Sequence, residues 1–351
     1  MGDVPPAGQP AGQFQLAHGG DLSALKAAPD AYAGAWMDLS TGINPFSWPH
    51  PAASPAVTTE AWARLPSRGA LSDLLDAARG AYGVPEAAGI VALPGTQAAI
   101  QWLPRLFAQA RVTVLGPTYA EHAHVWRQCG HTVTELDGVP GTLNGIDVLI
   151  VVNPNNPDGR AIGAQMLKRW HAELQAKGGW LIVDEAFADV IPDNSLAGDA
   201  GLGNLLVLRS FGKVYGLAGL RLGFVLGDPE VLAVLENAAG PWAISGPALE
   251  IGAAALRDTE WLSGMREELR ARARRFDTEM RTRGIHVLGG TPLFRLAKLQ
   301  DAAGFAAALR RQGIHVRLFD YNPHWVRFGL PADEAEFWRR LDLVLKDFAL
   351  A

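Results

Sequence analysis

From about residue 70 onward, short unbroken apolar runs alternate with helical stretches. The runs are GIVALPG (89–95), RVTVLGP (111–117), IDVLIVVNP (146–154), WLIVDEAF (180–187), LLVLRSFGK (205–213) and RLGFVLGD (221–228). Between them lie TQAAIQWLPRLFAQ, TYAEHAHVWRQCG and a helical segment near 164–177. Apolar strands of this length, separated by helices, predict a mostly parallel α/β sheet covered on both faces.

The pattern then changes. A charged helix, WLSGMREELRARARRFDTEMRTRG, leads into the strand-like IHVLGG and LFRLAKL. A helix near 302–312, the strand-like IHVRLF and a closing helix from about 333 follow. That order predicts a smaller α+β domain. The first ~35 residues are rich in Pro, Gly and Ala and predict an irregular arm. The expected division is an N-terminal arm over 1–50, a large domain over 51–240 and a small C-terminal domain over 241–351.

Composition narrows the function class. At 351 residues, the chain can bury a large core and split into two domains. A net charge of -5 gives no electrostatic reason to expect nucleic acid or an anionic membrane as partner. Cys129 stands alone, so no intrachain disulfide can form, and a reducing compartment is expected. The opening residues lack a basic segment followed by an apolar run, and no stretch of about 20 apolar residues occurs. The expectation is a cytoplasmic protein with no membrane partner and no metal.

Five local features could carry chemistry. SFGKVYGLAGLRLG (210–223) puts Lys213 in a Gly-rich, apolar loop, with Ser210 three residues before it and Arg221 eight after. A surface lysine would read the same way by itself, but this trio could converge on a phosphorylated aldehyde. VDEAF (183–187) ends a buried strand with Asp184 and Glu185, where ligands bind in parallel sheets, or where a cap or surface pair would sit. NPNNPDG (153–159) is a turn whatever else it does. PGTQAAI (94–100) joins a strand to a helix start whose N–H groups could cradle phosphate, although most such junctions bind nothing. Arg317 and Arg327 lie in strand-like segments among apolar residues, where an arginine pairs with a buried acid or grips an anionic ligand.

Taken together, in this order and at this spacing, the segments resemble pyridoxal-phosphate (PLP) enzymes of fold type I, the class I and II aminotransferases. The S-x-x-K-x7-R spacing of Ser210, Lys213 and Arg221, with NPNNPDG and DEAF upstream, is the specific part. The likeness runs from HGGD (18–21) to the last helix and is closest to the branch holding histidinol-phosphate aminotransferases and threonine-phosphate decarboxylases. It implies that Lys213 carries the cofactor as a Schiff base and that Asp184 pairs with the ring nitrogen. Asn156 would bond the phenolic oxygen, and Tyr119 would stack on the ring. Ser210, Arg221 and the backbone at Gly95, Thr96 and Gln97 would hold the cofactor phosphate. Arg327 matches a carboxylate-gripping arginine and Arg317 the one added for phosphorylated substrates. His18 in HGGD and Asn44 in STGINPF would close the arm over the substrate.

Two positions depart from the family pattern. Phe187 stands where a tyrosine commonly donates to the phenolic oxygen, and Leu65-Pro66 stands where a Tyr-Pro pair reaches the neighbouring subunit's cofactor phosphate. The wording DEAFAD, with Phe187 and Asp189, looks like the decarboxylase branch. The resemblance thus implies a lyase acting on a small phosphorylated amino acid, L-threonine O-3-phosphate, in cobalamin biosynthesis. A histidinol-phosphate-like aminotransferase is the alternative, and a homodimer is expected for either.

Overall fold

The computed structural model describes residues 18–49 and 57–348. Residues 1–17 and 50 of the expected arm lie outside the described residues. The strands are β1 (Met37–Asp38), β2 (Gly89–Leu93), β3 (Arg111–Gly116), β4 (Thr132–Asp137), β5 (Val148–Val152), β6 (Trp180–Asp184) and β7 (Leu205–Ser210). They continue as β8 (Gly223–Gly227), β9 (His286–Thr291), β10 (Phe294–Lys298), β11 (Ile314–His315), β12 (Arg317–Phe319) and β13 (Asn322–Gly329).

Seven of these make the large sheet, in the order β2-β8-β7-β6-β5-β3-β4. Every residue of β5, β7 and β8 is buried, as unbroken apolar runs require. Only β8 runs against its neighbours, pairing antiparallel with both β7 and β2. The sheet is therefore mostly parallel, as expected. One consequence positions the site. The carboxyl ends of β2, β3, β5, β6 and β7 share one edge, and the start of β8 joins them there, with Gly223 opposite both Leu93 and Ser210.

The second sheet is antiparallel, in the order β12-β13-β10-β9. The helix Thr259–Thr282 buries Leu262, Leu269, Ala273, Phe276 and Met280, one face at three-to-four spacing, and leaves its arginines outside. IHVRLF is not one strand. Ile314–His315 pairs parallel with β1 from the N-terminal segment, and Arg317–Phe319 pairs with β13. The N-terminal segment is thereby tied to the second region.

Several of the described elements go unannounced by the apolar runs. β4 reads TVTELD and is an edge strand with four of its six residues exposed, so it has no apolar run to show. The helices Arg68–Tyr82, Pro229–Ala239 and Gly246–Arg257 begin at Ser67, Asp228 and Ser245, each of whose side chains accepts a backbone N–H of the first turn. Those caps are readable signals that hydrophobic runs alone overlook. Among the described residues, no helix is long and apolar enough to cross a membrane.

Candidate active site

At the end of β6, two adjacent carboxylates take opposite sides because successive strand residues alternate. Asp184 faces a cavity of about 410 Å³ at the carboxyl edge of the sheet. Its Oδ2 accepts from His122 Nε2 at 2.8 Å and its Oδ1 accepts the Ala186 N–H at 3.0 Å. Glu185 turns into the core. It accepts from Arg209 at 2.7 Å, from Ser195 Oγ at 2.5 Å and from the Leu196 N–H at 2.6 Å. Burial raises the Glu185 carboxyl, with Arg209 opposing. Of the DEAF pair, Asp184 belongs to the cavity and Glu185 to the fold.

Lys213 sits in the single turn Phe211–Val214 that follows β7. Its half-buried side chain lines the same cavity, with Nζ 5.6 Å from the centre of the Phe187 ring. No carboxylate forms a salt bridge with it among the described residues. Burial, and then the nearby Arg327, lower its amine from 10.5 to about 8, with Asp184 pulling the other way.

Gly95, Thr96, Gln97 and Arg221 form one corner of the cavity. Gly95 has φ +81°, and a Cβ there would stand 2.9 Å from Arg221 Nη2. A Cβ on Gly223 would stand 2.5 Å from the Thr96 nitrogen. Two glycines thus let a guanidinium and a helix start approach each other. The first N–H groups of the helix Thr96–Trp102 have no acceptor within it, so the corner is a set of donors with one positive charge.

Arg327 lies across the cavity on β13, buried. It donates to Asn156 Oδ1 at 2.5 Å and to the Ser40 carbonyl at 2.7 Å. A guanidinium only donates, so Asn156 must present its oxygen to Arg327, which leaves its amide N–H groups as donors. Arg317 is the residue directly opposite Arg327 in the β12–β13 ladder. Burial, then Arg317, lower the Arg327 guanidinium to about 10. Tyr119 donates to Gln97 Oε1 at 3.0 Å, and Gln97 donates to Glu121 at 3.1 Å. His18 lies 3.0 Å from Glu121, which ties the start of the described chain to this wall.

Eleven of the thirteen residues singled out from sequence line the cavity: His18, Gly95, Thr96, Gln97, Tyr119, Asn156, Asp184, Lys213, Arg221, Arg317 and Arg327. Two do not. Ser210 is buried at the end of β7, opposite Gly223. Asn44 is buried and spent on backbone. Its N–H donates to the Lys213 carbonyl at 2.9 Å, its amide to the Val214 carbonyl at 2.7 Å, and its oxygen accepts from Phe46 at 2.9 Å. It holds the turn that carries Lys213. The sequence reading missed His122, although it lies in the quoted TYAEHAHVWRQCG, three residues after Tyr119 and in the first turn of the helix Glu121–Gln128. It also missed Ser40, Thr41 and Gly42, which line the cavity from the quoted STGINPF, and Tyr321, which lines it from a segment with no motif.

The residues fit a phosphorylated aldehyde cofactor. A free amine of lowered pKa faces a carboxylate, and a glycine-lined corner of donors lies in the same cavity. Comparison with known proteins agrees with the geometry. The family model for aminotransferase class I and II matches residues 35–339. Threonine-phosphate decarboxylase of Pseudomonas aeruginosa is 46% identical over 95% of this chain and 98% of its own length. L-threonine-O-3-phosphate decarboxylase from Porphyromonas gingivalis shares the fold with a TM-score of 0.75 at 20% identity, covering 88% of this chain and 99% of its own. A histidinol-phosphate aminotransferase from Sinorhizobium meliloti, solved in complex with pyridoxal-5'-phosphate, has a TM-score of 0.73 at 22% identity, covering 89% and 91%.

Proposed function

Because the chain belongs to the class I and II aminotransferase family, we propose that it decarboxylates L-threonine O-3-phosphate to (R)-1-aminopropan-2-yl phosphate for cobalamin biosynthesis. It is a PLP-dependent enzyme of the fold type I architecture. The observation that carries the reaction is the pair Arg317 and Arg327, directly opposed on one ladder and facing the cavity that holds Lys213. Two guanidiniums suit a substrate with two anions.

When bound, PLP supplies a π-system that accepts the electron pair of whichever Cα bond stands perpendicular to it. The chain's residues decide which bond that is. Arg221, with the backbone of Gly95, Thr96 and Gln97, holds the cofactor phosphate, and Ser210 supports that corner from beneath. Asp184, held by His122, keeps a proton on the ring nitrogen. The amide of Asn156 would be the main donor to the phenolic oxygen, because Phe187 carries no hydroxyl. Tyr119 covers the ring face. Arg317 and Arg327 would grip the substrate's phosphate and carboxylate and so fix the rotation about Cα that exposes the carboxylate bond to cleavage. His18 closes the open side and Asn44 keeps the Lys213 turn in place. Lys213 then returns a proton to Cα as carbon dioxide departs.

The arm (1–50), large unit (51–240) and small unit (241–351) each supply part of this site in our reading. A cytoplasmic homodimer completes it. A groove of about 710 Å³, lined by Pro66, Leu71, Leu75, Ile244 and Trp242 among others, supports the dimer. Trp62 and Leu65 stand 72% and 68% exposed just before it in the chain, an apolar patch of the kind that marks an interface.

PLP-loaded protein given L-threonine O-3-phosphate should release carbon dioxide while consuming no keto acid. Stoichiometric conversion of the cofactor to its pyridoxamine form, with 2-oxoglutarate needed to restore it, would make the aminotransferase reading the right one.

A further inference from the structure

Arg317 and Arg327 face each other across an antiparallel ladder, a placement in which like charges repel. A third cation beside them would add to that repulsion. What the chain puts there is a phenol. β12 and β13 are joined through Asp320 and Tyr321, and the register shifts between Leu318 and Phe319 as the hairpin turns. Tyr321, at this tip, lines the cavity and is 50% exposed. Its ring is held from the side, edge-on to Trp325 at 6.0 Å and tilted against Phe319 at 5.5 Å. Its hydroxyl makes no hydrogen bond among the described residues.

Burial pushes the phenol's pKa up, although Arg327 and Arg317 both act on it in the opposite direction. The phenol is therefore a neutral donor near neutral pH. The same two cations that would hold the substrate's anions are close enough to be felt at this oxygen. A neutral O–H beside them adds a donor to an anion without adding charge.

We propose that Tyr321 is a specificity-determining residue whose hydroxyl donates to the anion held at Arg317, which is the substrate phosphate if the reaction proposed above is right. The ring's packing places the donor, and the exposed tip puts it at the cavity mouth, where the substrate end farther from Lys213 must lie. The inference rests on the proposed reaction for the identity of the anion, but not for the donor.

The test uses PLP-loaded enzyme, so that the cofactor's own phosphate corner is filled, and the variant Tyr321→Phe, which keeps the ring and its packing. The KM for L-threonine O-3-phosphate should rise about tenfold, as loss of a hydrogen bond to a charged group implies, with kcat within about twofold. Binding of inorganic phosphate, measured by calorimetry, should weaken by the same factor. A hairpin-packing role predicts no change in phosphate affinity, and that result would overturn the assignment. So would failure of the loaded wild type to bind phosphate at all. If the wild type does not decarboxylate the substrate but phosphate binding still falls in Tyr321→Phe, the reaction is wrong and the donor stands.

Discussion

Arg209 and Arg327 are both strand residues, 3% and 6% exposed, and each has a buried Nε with no partner among the described residues. Their surroundings differ in charge. Arg209 donates to Glu185 at 2.7 Å and to Asp189, and lies 4.5 Å over the Tyr82 ring. Burial works against its charge, but the two carboxylates prevail and hold the guanidinium above its ordinary value. Arg327 donates only to neutral oxygens, lies 5.1 Å over the Phe294 ring, and faces another arginine. Burial and then Arg317 lower it, and Tyr321, which acts in the other direction, does not restore it. A buried cation neutralised by its own fold is part of the structure. One met only by neutral acceptors costs stability until an anion arrives, which is how a binding residue looks before its ligand.

Paired substitutions give the largest expected effects. Arg209→Leu leaves Glu185 and Asp189 buried without their cation and should cost about 3–5 kcal/mol, read by denaturant unfolding. Arg327→Leu should leave stability equal or slightly higher while kcat/KM falls about a hundredfold or more. The comparison breaks if the second variant unfolds as readily as the first.

The contrast also shows what could be read in advance. Lys213, Asp184, Arg221 and Arg327 were legible because each sits at a strand end or in a strand marked by an apolar run. The two-sided sheet was legible for the same reason, whereas the antiparallel pairing of the second region was not, since its order announced only a smaller α+β region. Only the family resemblance told Asp184 from Glu185, because adjacent acids at a strand end look alike until the pleat sends them to opposite faces. Asn44 looked like a ligand residue because it belongs to a motif, and its hydrogen bonds turned out to serve the Lys213 turn. His122 was missed because a histidine in the first turn of a helix is ordinary. Tyr321 was missed because a hairpin tip carries no pattern.

Asn44 belongs with Arg209 in this division, since its polar groups are spent on the chain itself. Asn44→Ala should cost about 1–2 kcal/mol of stability, for two lost side-chain bonds in a buried setting. It should also lower kcat by loosening the turn that carries Lys213, while the loaded enzyme binds inorganic phosphate as the wild type does. A loss of phosphate affinity equal to that of Arg327→Leu would move Asn44 into the binding set and blur the distinction.

The smallest effect, and the most direct measure of the uncompensated charge, is a shift in the titration of Lys213. Only the neutral amine attacks an aldehyde, so the rate at which cofactor-free protein captures PLP should rise with pH through about 8 and then level. An ordinary lysine would keep gaining up to its usual 10.5. Burial is the main cause of the lowering and Arg327 the second, while Asp184 opposes both. Removing a neighbouring cation makes the protonated amine less costly, so Arg327→Leu should move the midpoint upward, though not the whole way. At pH 7 that variant then holds less neutral amine and captures PLP more slowly, even though Arg327 touches neither the aldehyde nor its phosphate. Asn44→Ala removes no charge and should leave the midpoint where it was. A wild-type midpoint near 10.5, or one that Arg327→Leu does not raise, would show that the buried guanidinium exerts no field on the amine.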